Sequence, residues 1–145
     1  MTVQLAARAF DAYGRASATI PPLEQIVMLY DAAILRVKEA RAAIERGDVE
    51  GRFLSTRKAI AILEALQSCL DHDRGGEIAR LLDRCYTYLI LRLAEVNRRN
   101  APALCDEILD RLGELRRAWA ELSSRPSGLS GGDRTAVPLA AATTA

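Results

Sequence analysis

The sequence predicts an all-α fold: an antiparallel up-down four-helix bundle, with a short extra helix before it and a disordered tail after it. Three observations predict this. Four long stretches repeat apolar residues at spacings of three and four, the period of a helix with one buried face. The breaks between them are short and rich in Gly, Asp, Asn and Pro, residues that end or start helices. Half of the chain is hydrophobic but only 5% is aromatic, with Ala, Leu, Glu, Arg and Ile prominent, mostly strong helix formers. One domain is the expectation for 145 residues, a size that buries about two-thirds of its unfolded surface without a metal or disulfide.

The first predicted element runs from Val3 to Tyr13 and ends at Gly14. It is amphipathic but short, so it needs a surface to dock on. Arg15 to Pro21 is a linker. Pro22 suits a first helical position, where its missing N–H costs nothing. From there Leu23, Ile26, Val27, Tyr30, Ile34, Val37, Ala40 and Ile44 carry a helix to Arg46. Gly47 can close it in a left-handed conformation, and Asp48 can accept from the free amides of the next helix.

That next helix spans Val49 to Leu70, with Phe53, Ile60, Leu63, Leu66 and Leu70 as its inward stripe. Asp71 to Gly76 reads as a turn. A third long helix follows from Glu77 to Arg99, with Ile78, Leu82, Cys85, Tyr86, Leu89, Leu93 and Val96 inward. Asn100 stops it and Pro102 restarts the chain. The last helix buries Leu104, Cys105, Ile108, Leu109, Leu112, Leu115, Trp119 and Leu122. Each long helix is roughly 30–38 Å at 1.5 Å per residue. Matched lengths and short connections make each antiparallel to its predecessor. The domain is then 1–122, with an N-terminal mobile segment 1–21 and the bundle 22–122. Residues 123–145 are Ser, Gly, Pro, Ala and Thr with little to bury, and are expected to be disordered.

Charge narrows the function. Twenty basic and nineteen acidic residues leave a net charge of +1, unlike the basic excess of a nucleic-acid binder. No run is long and apolar enough to span a membrane, and Met1 to Arg8 lacks signal-peptide character. Cys69, Cys85 and Cys105 each fall at an apolar helical position with no C-x-x-C spacing. Buried reduced thiols in a cytoplasmic protein are the expectation.

Catalytic chemistry finds no support. The single histidine, His72, lies in a turn with Asp71, Asp73 and Glu77, where acidic groups favour the start of the next helix. Carboxylate-bridged metal sites in bundles need Glu-x-x-His on two helices. No phosphate loop, dinucleotide fingerprint or nucleophile elbow occurs. Arg98-Arg99 and Arg116-Arg117 alternate with acids and read as solvated faces with ion pairs. The expectation is a protein with no cofactor, no metal and no enzymatic activity.

What remains is surplus apolar surface. Tyr88 lies at the edge of the inward stripe of its helix, and Leu91 points almost directly away, among Arg80, Arg84, Thr87 and Arg98. On the second helix Ile62, Leu66 and Cys69 form a row offset from Phe53, Ile60 and Leu63. Scattered exposed leucines are ordinary, whereas a contiguous groove would mark a partner site, one that an amphipathic helix could fill.

These residues also carry a resemblance. Met28-Leu29-Tyr30-Asp31 followed by Ala32-Ala33-Ile34, after a proline helix start, resembles the first helix of the FliS family of flagellin export chaperones. So does Leu70-Asp71 before Gly75-Gly76-Glu77-Ile78-Ala79, with Leu82, Tyr86-x-Tyr88, Leu93, Asn97 and Trp119 beyond it. Phe10 and Tyr13 match a paired aromatic motif of the family, with Phe10 where tyrosine is usual. Cys85 and Thr87 replace the Leu and Asp common around the two tyrosines.

The resemblance implies a helical bundle that binds the C-terminal segment of flagellin in the cytosol and blocks premature polymerisation. An export gate component or a co-chaperone is a further implied partner. No nucleic acid and no membrane insertion are expected, and the protein is a monomer or weak homodimer. Phe10, Tyr13, Ile62, Leu66, Tyr88 and Leu91 are the candidate partner-binding residues. A helical adaptor for another amphipathic partner is the alternative. On the chaperone reading the Val3–Tyr13 segment would cover part of the groove in the free protein until flagellin displaces it.

Overall fold

The computed structural model describes residues 23–124. They form four helices and, among the described residues, no strand: α1 (Leu23–Glu45), α2 (Val49–Ser68), α3 (His72–Arg99) and α4 (Pro102–Ser123). The expected helix Val3–Tyr13, with Phe10 and Tyr13, the helix start at Pro22 and nearly all of the expected tail lie outside the described residues. α4 carries on through Ser123, slightly beyond its expected end at Leu122.

The first connection closes both helices that it joins. Gly47 has φ 73°. The Asp48 amide bonds to the Ala43 carbonyl at 2.8 Å and the Gly47 amide to the Ile44 carbonyl at 3.2 Å, which satisfies the last carbonyls of α1. The Asp48 carboxylate then accepts from the Gly51 amide at 2.9 Å, capping α2. A Cβ at Gly51 would lie 2.3 Å from an oxygen of Asp48, so the glycine leaves room for this cap.

α3 begins earlier than its periodicity predicts. Asp71 caps a first turn through the Arg74 amide at 3.2 Å. That turn is broken at Gly76, whose φ 51° and ψ −122° are open to glycine alone. The long amphipathic run then follows from Glu77. At the other end Asn100 takes a left-handed conformation, and its side-chain oxygen accepts from Arg52 at 2.7 Å. Pro102 starts α4 as expected.

α1 packs on α2 and α4, and α3 packs on the same two helices. The diagonal between α1 and α3 is bridged at the centre. Tyr30 and Tyr86 are both fully buried, and one hydroxyl donates to the other at 2.6 Å. Around them lie Val37, Leu63, Leu89, Leu93, Ile108 and Leu112. Burial pushes both phenols well above their ordinary range. A second buried polar link joins α2 and α3: Asn97 donates to the Thr56 hydroxyl at 2.7 Å.

Pairs between helices follow an order. Arg41 meets Asp106 at 2.7 Å, and Arg116 meets Asp31, so numbers rise along α1 as they fall along α4. Between α2 and α3, Gln67 donates to Asp83 while Thr56 receives Asn97.

Phe53, expected inward, is 47% exposed, with the Arg57 guanidinium 5.6 Å from its ring centroid. The inward row of α2 is instead Thr56, Ala59, Leu63 and Leu66, which succeed one another at three and four. Phe53 falls outside that row.

Candidate functional site

Few chemistries are open to this bundle. Among the described residues no group of three metal-ligating side chains comes together, and no helix is long and apolar enough to cross a membrane. Cys105 is buried beside Asp106, which pushes its thiol up to about 11 and leaves it protonated at neutral pH. Cys69 and Cys85 are half-buried. The side chains that stand out are apolar ones facing water.

Large apolar side chains are exposed on three helices: Met28 and Leu35 on α1, Val49, Phe53 and Leu54 on α2, and Leu81, Tyr88 and Leu91 on α3. The α3 set is built differently from the others, because charged groups from two helices hold it. Tyr88 stands at the seam between α3 and α4, and its hydroxyl donates to Glu107 at 2.7 Å. Arg92, one turn further along α3, reaches the other oxygen of Glu107 at 2.5 Å. The Tyr88 ring has Arg92 at 5.8 Å and Arg111 at 5.1 Å from its centroid, both within cation–π range. Arg111 also approaches Glu107 at 3.9 Å.

The two oxygens of Glu107 therefore accept from two donors, with Arg111 a longer ion pair. The Tyr88 hydroxyl, followed by Arg92, holds the Glu107 carboxyl below the usual carboxylate range. Glu107 in turn raises Arg92. The Nε of Arg92 is buried without a hydrogen-bond partner among the described residues. Leu91, on the turn between Tyr88 and Glu95, is 64% exposed, more than any other large apolar side chain described.

The sequence-predicted residues thus fall in different places. Tyr88 and Leu91 share the outward side of α3, at 39% and 64% exposure. Ile62 is half-buried and packs against the core. Leu66 sits inside the core at 4% exposure, in the same row as Ala59 and Leu63, and is not presented to a partner in this structure. Phe10 and Tyr13 lie outside the described residues. Leu81, Arg92, Glu107 and Arg111 were not among the predicted residues. Leu81 was legible as the residue two turns before Tyr88. Glu107 and Arg111 come from α4, and no pattern within α3 points to them.

Comparison with known proteins places the chain. The family model described as flagellar protein FliS matches residues 6–126. The flagellar secretion chaperone FliSB of Pseudomonas aeruginosa is 38% identical over 102 residues, covering 70% of this chain and 81% of that protein. The flagellar secretion chaperone FliS of Salmonella typhimurium is 36% identical over 107 residues, covering 73% and 79%. That of Vibrio cholerae is 30% identical over 101 residues, covering 70% and 74%.

Proposed function

The chain belongs to the FliS family, and on that premise we propose that this flagellar secretion chaperone binds the C-terminal segment of flagellin in the cytoplasm. Binding keeps the segment from polymerising early and supports its delivery to the export apparatus. The observation that carries this reading is the family match over residues 6–126, which runs through all four helices. The chemistry is compatible with it. The exposed apolar row of α3 gains by burial against an amphipathic segment, and a segment that folds on binding takes its energy from that burial. The protein works by covering surface and catalyses nothing.

The four helices act as an antiparallel up-down bundle, a reading supported by the opposed order of the Arg41–Asp106 and Asp31–Arg116 pairs. The client docks on the side that carries Tyr88 and Leu91. The N-terminal segment with Phe10 and Tyr13 competes for the client surface, so its removal raises the competent fraction and tightens binding. Residues 1–122 form the working domain.

Calorimetry with the last ~50–60 residues of flagellin, at several temperatures, tests this. One-to-one binding with a clearly negative heat-capacity change is expected, as apolar burial coupled to folding requires. A folded protein that binds no flagellin segment would overturn the reading and leave an adaptor for another helical partner.

A further inference from the structure

The outward side of α3 is charged as well as apolar, and its charge is lopsided. Arg80, Arg84, Tyr88 and Leu91 succeed one another at three and four residues, with Arg98 seven residues beyond Leu91 and Leu81 and Arg92 beside them. Side chains at that spacing share one side of a helix. The acids along it are already engaged. Glu77 takes Arg80 at 3.2 Å, Glu95 takes Arg98 and Arg99, and Glu107 is shared by Tyr88, Arg92 and Arg111. Arg84, one turn before Tyr88, is exposed and has no ion pair among the described residues. The surface around Leu91 is therefore distinctly basic on a chain whose net charge is only +1.

We propose that this surface docks a helical client segment by its carboxylates as well as by its apolar side chains. Leu81, Tyr88 and Leu91 take the apolar stripe, and Arg84 and Arg92, with Arg111 from α4, take an Asp or Glu one turn away from it. The inference rests on the chaperone reading above and adds what the client must carry. Two observations select this occupant. Exposed leucines gain nothing from a bare phosphate, so the mixed surface favours an amphipathic peptide over a nucleic acid. An arriving carboxylate adds an acceptor for Arg84, which has no ion pair among the described residues, and for Arg111, which reaches Glu107 only at 3.9 Å.

The test uses the full-length chain and the C-terminal segment of flagellin, in its native form and with its Asp and Glu changed to Asn and Gln. Arg84→Gln is the primary variant, because Arg84 holds nothing in the fold and its loss leaves the helix intact. Arg92→Gln is the second, with circular dichroism as the folding control. At low ionic strength each variant is expected to weaken binding by about threefold to tenfold, the range of partly exposed charge pairs. The loss should fade in about 0.5 M salt. The neutralised segment should bind the native chaperone equally weakly and lose little more against Arg84→Gln, as a shared interaction requires.

Tight binding of the native segment that is unchanged by either variant, by neutralisation and by salt would overturn the carboxylate inference and leave the chaperone reading standing. No binding of the native segment would overturn both.

Discussion

α1 and α2 bury a series of small side chains, whereas α3 and α4 reach each other through long ones. Ala33, Ala40 and Ala43 of α1 and Ala59 and Ala65 of α2 are all buried, with Ser55 beside them. Small residues let helices approach closely, and this pair packs more extensively than α3 and α4 do. Across the α3–α4 seam, Tyr88 and Arg92 reach Glu107 and Arg111 with extended, partly exposed side chains. One seam is a close-packed interior that tolerates no added volume. The other has a packed inner edge and a polar outer edge whose bonds can be exchanged for those of a partner. The second seam is where a change costs least of the fold, which suits the docking surface proposed above.

The largest contrast to test is volume. Ala40→Leu adds a branched side chain to a site with no exposure and should cost about 1–3 kcal/mol. A lower urea midpoint with unchanged slope would check it. Leu91→Ala, on the exposed side, should leave the midpoint within about 0.5 kcal/mol and lower client affinity instead. Equal destabilisation by the two would erase the distinction between the seams.

Next is the polar pair at the bundle centre. Tyr30→Phe leaves the Tyr86 hydroxyl without its partner and should cost about 1–3 kcal/mol, while the double change to phenylalanine should cost less than the sum of the singles. The pair also sets an alkaline limit. Both phenols are held above their unfolded value, so their contribution is complete below about pH 10 and is lost as pH rises toward the raised values. The double variant should withstand higher pH than the native protein.

Much of this was legible in the sequence. The helical period located four helices, and Gly47, Asp48, Asn100 and Pro102 marked their ends, because caps are local chemistry. The first turn of α3 was missed: paired glycines suggested a loop, yet Asp71 caps one helical turn before Gly76 breaks it. The side taken by Phe53 was misread because α2 has apolar residues most of the way round, so its period is weak. Leu91 stood out because it interrupts a polar side. Its ionic neighbours Glu107 and Arg111 did not, because they depend on how α3 and α4 are set against each other, and no single-helix pattern contains that.

A smaller effect separates α4 from the close-packed pair. A Cβ on Gly113 of α4 would meet no atom within 4 Å. Gly113→Ala should therefore stabilise the helix by about 0.5–1 kcal/mol. Gly51→Ala in α2 should destabilise, because its Cβ would strike the Asp48 cap. Opposite shifts in melting temperature are expected from one chemical change.

The smallest effect is acid, and it distinguishes the seams by their groups. Glu107 at the α3–α4 seam has a folded pKa below its unfolded one, by the Tyr88 hydroxyl first and Arg92 second. Such a group contributes above its unfolded value and loses that contribution as pH falls through its folded value, so the loss sets in below about pH 4. Asp106, lowered by Arg41, and Glu95, lowered by Arg98, follow the same sign at the outer edges of α4 and α3. At the α1–α2 connection only the Asp48 cap behaves so, through the Gly51 amide. The small side chains that its helices bury, Ala33, Ala40, Ala43, Ala59 and Ala65, do not titrate. Amide exchange followed from pH 6 to 3 should then open the outer turns of α3 and α4 before the inner turns of α1 and α2. Glu107→Gln should flatten the response of Tyr88 and Arg92 while leaving α1 and α2 unaffected. Simultaneous opening of both seams would mean that the ionic edge and the close-packed interior form one cooperative unit, and that the client surface is tied to the stability of the whole bundle.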